Sequence, residues 1–114
     1  MNNQLLEIAR KEISRHDEIA AGVRAAILLQ QVVVGMSPFE AKLAAGAFFF
    51  KVKSDGSKWP PNTDPFLIID SQHARPDESE IWLAFENDTQ FPGKGIKRFE
   101  VYFIHGRVEK IKVI

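Results

Sequence analysis

Near the start of the chain, apolar residues recur with the period of a helix. Leu5, Leu6, Ile8, Ala9 and Ile13 share one side, and Glu7, Arg10, Lys11 and Glu12 share the other. The spacing predicts helix over residues 3 to 31. A break is expected at Ser14-Arg15-His16, with Asp17 capping a second segment from Glu18 to Gln30, although one long bent helix satisfies the same pattern. Gly22 inside that segment costs about 1 kcal/mol relative to alanine and is expected to mark a close helix contact. Val32-Val33-Val34 are β-branched and should be extended. Ser37-Pro38-Phe39-Glu40 then carries a capping box with proline at the first helical position, and Gly46 stands where a helix ends. Met36 and Ala41 occupy the two hydrophobic-staple positions. A short helix over about Ser37 to Ala45 follows.

Beyond Gly46 the period falls to two. Phe48, Phe50 and Val52 face one way and Phe49, Lys51 and Lys53 the other, which predicts a strand. Residues 54 to 65 form a turn-rich loop, and Phe66 to Asp70 read as a short buried strand or packed arm. Ile81 to Glu86 is a strand between the polar loops 71 to 79 and 87 to 95. The C-terminus is a hairpin. A three-residue loop, Ile104-His105-Gly106, is expected to set Phe99 opposite Ile111 and Glu100 opposite Lys110, because a plain two-residue loop mixes core residues with lysines. The expected fold is α+β: N-terminal helices packed on an antiparallel meander of three or four strands. Residues 1–31 form the N-terminal helical segment and 32–114 the α+β domain, as one folded unit.

Composition adds limits. A chain of 114 residues, 45% hydrophobic and 26% charged, can bury a core without staples. Fifteen basic and fifteen acidic residues cancel, which argues against a nucleic-acid partner. There is no cysteine, hence no disulfide, thiolate site or cysteine-linked lipid anchor. No apolar run is long enough to span a membrane. The N-terminus lacks a secretory pattern, so a cytoplasmic location is expected if Met1 is the native start, and a periplasmic or envelope location if an export segment was removed.

No residue set converges on chemistry in the linear sequence. His16, His73 and His105 do not stand at metal-ligand spacing, and no metal, cofactor or catalytic group is expected. Ser37 has a capping role and no nucleophile elbow around it. Phe91 to Arg98 contains Gly-Lys-Gly but lacks the ending and the following helix of a phosphate loop. The densest polar stretch, Asp70 to Glu80 with His73, offers an alternative reading as a small enzyme or a metal or ligand site. A pocket gathering Asp70, His73 and Glu78 would favour it. Aromatics are the more informative group. Phe49, Trp59 and Trp82 are expected either in a second small cluster or on a surface that docks a protein. Residues 4 to 31 hold more apolar positions than one stripe accommodates, so a homodimer is expected, with residues 4 to 14, Leu5 and Leu6 among them, contributing most.

Gly35-Met36-Ser37, the capped helix ending at Gly46, Trp82 in a following strand and the closing Tyr102-Phe103-Ile104-His105-Gly106-Arg107-Val108 together resemble the SmpA/OmlA (BamE-like) family of small bacterial outer-membrane lipoproteins. The β-lactamase inhibitor protein repeat is similar in the same way. The resemblance covers roughly residues 25 to 114. It implies helices on a three- or four-stranded antiparallel sheet and a non-catalytic role in envelope assembly or integrity through protein binding. A hydrolase-inhibitor-like role is a further alternative.

Overall fold

The computed structural model describes residues 3–114. Its architecture is α+β: helices α1 (Asn3–Arg15), α2 (Ala21–Leu28), α3 (Pro38–Ala45) and α4 (Pro65–Ser71), with strands β1 (Phe49–Lys53), β2 (Glu80–Glu86), β3 (Arg98–Ile104) and β4 (Arg107–Val113). The strands form one antiparallel sheet in the order β1-β2-β3-β4, a plain meander. None of the described helices is long and apolar enough to cross a membrane.

Helix α3 forms as its ends dictate. Ser37 caps it: its Oγ accepts from the Glu40 N–H at 3.2 Å, and the Glu40 carboxylate accepts from the Ser37 N–H at 2.8 Å. Met36 and Ala41, the staple pair, are fully buried. Gly46 ends the helix at φ 66, where a side chain is strained.

The N-terminal region is two helices rather than one. The break lies at residues 16 to 20, and Asp17 is an exposed turn residue, not a cap; α2 begins after Ala20 with no side-chain cap at all. Arg24 instead braces the turn before α2, donating to the His16 carbonyl and to the Ile19 carbonyl, each at 2.8 Å. Gly22 marks no contact, since a Cβ there would meet nothing within 4 Å. Helix α2 stops two residues earlier than Gln30, which adopts φ 57 and cannot continue it.

Two further expectations are corrected. Phe66 to Asp70 is neither strand nor arm but most of α4, capped by Asp64 with Pro65 at the first position. Its buried residues are Ile68 and Ile69, while Phe66 and Leu67 face outward. The hairpin uses the two-residue turn His105-Gly106, with φ 50 and 71, pairing Ile104 with Arg107 and Phe103 with Val108. A bulge then shifts the register, so Tyr102 meets Lys110 and Val101 meets Ile111. That shift removes the mixing of core and lysine which made a two-residue loop look unfavourable.

The core lies between the helices and one face of the sheet. Cross-strand partners Ile81–Phe103, Leu83–Val101 and Phe85–Phe99 are all buried, with Phe85 and Phe99 stacked at 5.3 Å. Ala9, Ile19 and Ile27 join the same cluster as Ala41, Ala44 and the strand residues, so both sequence segments share one core. On the opposite face, Trp82 lies against Tyr102 at 5.1 Å.

Candidate functional site

Two places combine exposure with chemistry. The first is apolar. β1 is an edge strand, and its neighbourhood leaves Phe48 55%, Phe49 53%, Phe66 52% and Leu67 58% exposed. Alternation along β1 sends Phe50 inward and Phe49 outward, while α4 directs Ile69 to the core and Phe66 to the rim. Phe50 and Phe66 pack edge to face at 4.8 Å. Together with Lys42, Ala47, Ile69 and Leu83 these aromatics enclose a cavity of about 160 Å³. Lys51 and Lys53 are exposed on the same outer face of β1 as Phe49, and Lys42 stands 3.8 Å from Asp70.

Among the residues that sequence patterning put forward for partner binding, Phe49 belongs to this surface. The others do not. Trp59 is half-buried and donates its indole N–H to Asp77 at 2.8 Å, under the loop after β1. Trp82 is half-buried on the outer face of the sheet. Leu5 and Leu6 are also half-buried, Leu5 lying close to Gly46. Phe66 and Leu67 join this surface because a helix buries only part of an apolar run, whereas the strand or arm expected at that position implies burial of the whole run.

The second place is polar. His16 follows α1, Glu18 lies in the turn before α2, His73 follows α4, and Ser37 caps α3. Glu18 Oε1 accepts from His16 Nδ1 at 2.7 Å and from His73 Nε2 at 3.1 Å. His73 Nδ1 accepts the Ser37 hydroxyl at 2.8 Å, and His16 Nε2 stands 3.4 Å from Glu12. Phe39 packs at 4.9 Å from both imidazoles. Hydrogen bonds from His73, from its own backbone and from His16 hold the Glu18 carboxyl down at about 2. The hydrogen bond to Glu18 raises the His16 pKa, with the charges of Glu18 and Glu12 acting the same way against a smaller effect of burial.

Ser37, His73 and Glu18 are connected in the order of a hydrolytic triad, but Ser37 is fully buried and its Oγ already accepts the Glu40 N–H. It has no face to offer a substrate carbonyl. The Asp70–His73–Glu78 gathering does not form either. Asp70 is exposed beside Lys42, and Glu78 lies 3.6 Å from His105 at the hairpin turn, whereas His73 turns toward Ser37.

A third feature is a cavity of about 370 Å³ where the end of α3 meets the loop after β2, lined by Leu5, Gln30, Gly46, Glu86, Asn87 and Asp88 among others. Asn87 Nδ2 is the one buried side-chain nitrogen or oxygen among the described residues without a hydrogen-bond partner. Comparison with protein-family models, with curated proteins and with solved structures yields no match.

Proposed function

We propose that this protein is a non-catalytic protein-binding domain, and that it docks its partner on the surface formed by Phe48, Phe49, Phe66 and Leu67. The observation that carries this reading is the exposure of four large apolar side chains beside an edge strand, three of them, Phe48, Phe49 and Phe66, lining one cavity. Clustered exposed apolar side chains mark interaction surfaces, and aromatics are the residues that anchor them. Lys51 on the outer face of β1, beside Lys42 and Lys53 whose carboxylate partners Asp70 and Glu80 stand 3.8 and 3.5 Å away, favours a partner segment with apolar anchors and an acidic flank. The motif resemblance to the BamE-like family supports the same class of role, since its expected architecture of helices on a meander agrees with the fold.

Selection of peptides from a displayed library against the full chain tests this. Enriched peptides should carry aromatic or aliphatic anchors beside Asp or Glu, and Phe49→Ser with Phe66→Ser should weaken their binding by more than about 10-fold. Equal binding by the folded double variant overturns the proposal. Sedimentation equilibrium of the same proteins addresses the other occupant: a dimer abolished by the double variant would assign this face to a second copy of the chain and overturn docking of a foreign partner.

A further inference from the structure

We propose that His16, Glu18 and His73 form a binding site for a divalent transition-metal ion, with zinc the ion that the donor set suits best. This stands apart from the docking surface and does not depend on it. Two imidazole nitrogens and one carboxylate oxygen lie within 4.8 Å of one another. Zinc bonds of about 2.0–2.1 Å in tetrahedral geometry place ligand atoms about 3.3 Å apart. The two pairs that share Glu18 Oε1, at 2.7 and 3.1 Å, already approach that separation. The Glu18–His16 pair has to widen by about 0.6 Å, and the distance between the two histidine nitrogens has to be adjusted as well.

The surroundings match what a metal-binding histidine needs. A ligating imidazole uses one nitrogen for the metal and donates the other N–H to a fixed acceptor. His73 turns Nε2 toward Glu18 and Nδ1 toward Ser37 Oγ at 2.8 Å. His16 turns Nδ1 toward Glu18 and Nε2 toward Glu12 at 3.4 Å. Each ring therefore has an inner nitrogen aimed at the shared carboxylate and an outer nitrogen with its own oxygen. On metal binding the His73 ring proton moves from Nε2 to Nδ1 and is donated to Ser37, whose hydroxyl hydrogen turns away. His16 likewise frees Nδ1: the proton there leaves to solvent if the ring is an imidazolium, or moves to Nε2 if the ring is neutral, so that the remaining proton faces Glu12.

The carriers of these ligands are held independently of any ion. Arg24 ties down the carbonyls of His16 and Ile19, and Ile19 is buried, so the turn bearing Glu18 is anchored on both sides. Gln72, fully buried, bonds the Ile68 carbonyl and the Asp77 N–H and so fixes the chain next to His73. Phe39 walls the rings on one side, while Glu18, 54% exposed, leaves the other open for a water at a fourth position. Nitrogen donors in the majority select zinc and its neighbours over calcium and magnesium, which take oxygen.

Calorimetric titration of the metal-free full chain with Zn²⁺, and Co²⁺ titration followed by visible absorption, test the site. One equivalent should bind, with no saturable binding of Ca²⁺ or Mg²⁺. Glu18→Gln and His73→Ala should each lower Zn²⁺ affinity at least 100-fold, and Glu12→Gln about 10-fold through the outer contact. His105→Ala, remote from the cluster, should bind as the parent does. Glu18 is exposed, so its variant keeps the test valid should His73→Ala fail to fold. Nitrogen NMR of the histidine rings should show Zn²⁺ perturbing His16 Nδ1 and His73 Nε2. Absence of saturable Zn²⁺ binding, undiminished affinity in Glu18→Gln, or metal on the outer nitrogens overturns the proposal.

Discussion

Ser37→Ala removes one oxygen that serves two partners. Ser37 is completely buried, and its Oγ accepts the Glu40 N–H and donates to His73 Nδ1. Loss of a helix cap of this kind costs about 1 kcal/mol. The orphaned Glu40 N–H belongs to a residue with only 7% exposure, so the desolvation penalty of a buried donor, about 1–3 kcal/mol, carries the cost to the upper part of that range. His73 contributes less, because its side chain is 15% exposed and water can replace the hydroxyl. The expected total is about 2–3 kcal/mol, which for a domain of this size lowers the melting temperature by roughly 10 °C. Glu40→Gln is the control: a glutamine keeps the reciprocal bond to the Ser37 N–H, so it should cost less than about 1 kcal/mol. Thermal unfolding followed by far-ultraviolet circular dichroism measures both. If Ser37→Ala melts within about 2 °C of the parent, the cap does not support the fold as described.

Gly106→Ala should be worse, by about 3 kcal/mol in chemical denaturation, since a Cβ at φ 71 would stand 2.8 Å from the Gln72 carbonyl oxygen and 2.9 Å from Pro76 Cβ; a near-parental midpoint would contradict that packing. Tyr102 is the chain's only tyrosine, and its hydrogen bond to Glu80, helped by burial and by the charges of Glu80 and Glu109, pushes its pKa up to about 12. Because the folded value exceeds the unfolded one, this contribution to stability is whole below about pH 10 and is lost as pH rises through about 12; near-ultraviolet titration of Glu80→Gln should show the phenol ionising at lower pH than in the parent. Burial would raise the Asp77 pKa, but hydrogen bonds from Ser79, Trp59 and Gln72 outweigh it and the net shift is down. Its contribution is therefore present above about pH 4 and lost as pH falls through the depressed value. Asp77→Asn should be less stable at neutral pH and lose less stability on acidification, as read from denaturation midpoints between pH 7 and pH 2.

Local pattern agrees with the structure where several signals coincide over a short stretch of chain. Ser37, Pro38, Glu40 and Gly46 agree, and α3 begins and ends where they place it. Asp64-Pro65 carries the same cap-and-proline signature as Ser37-Pro38, yet the run Phe66 to Ile69 reads as β because β-branched and aromatic residues dominate it. Seven residues are too few for a helical period to outweigh that composition. The hairpin failed differently. His105-Gly106 has the positive-φ geometry of a two-residue turn, and the lysine mismatch counted against it arises only if the ladder continues without interruption. The bulge at Glu109 supplies the interruption and has no residue type that announces it.

The polar cluster was hidden for a topological reason. A search for histidines at helical spacing looks within one element, where the backbone itself brings ligands together. Here only His16 and Glu18 are neighbours in sequence. His73 arrives because α4 ends beside the N-terminus of α3, and Phe39 and Ser37 hold it at that position. The linear signature is thus half a site: a His-x-Glu pair in a turn, indistinguishable from many solvated turns. The docking surface has the opposite character. Phe49 was visible from strand alternation alone, but its companions Phe66 and Leu67 become exposed only because α4 is a helix. Local pattern thus holds the His16–Glu18 pair of one group and Phe49 of the other, and the packing of α4 against α3 and β1 supplies their companions. A change that unfolds α4 alone should therefore damage both places at once, whereas Glu18→Gln and Phe49→Ser, which sit on different elements and leave α4 intact, should act independently of each other.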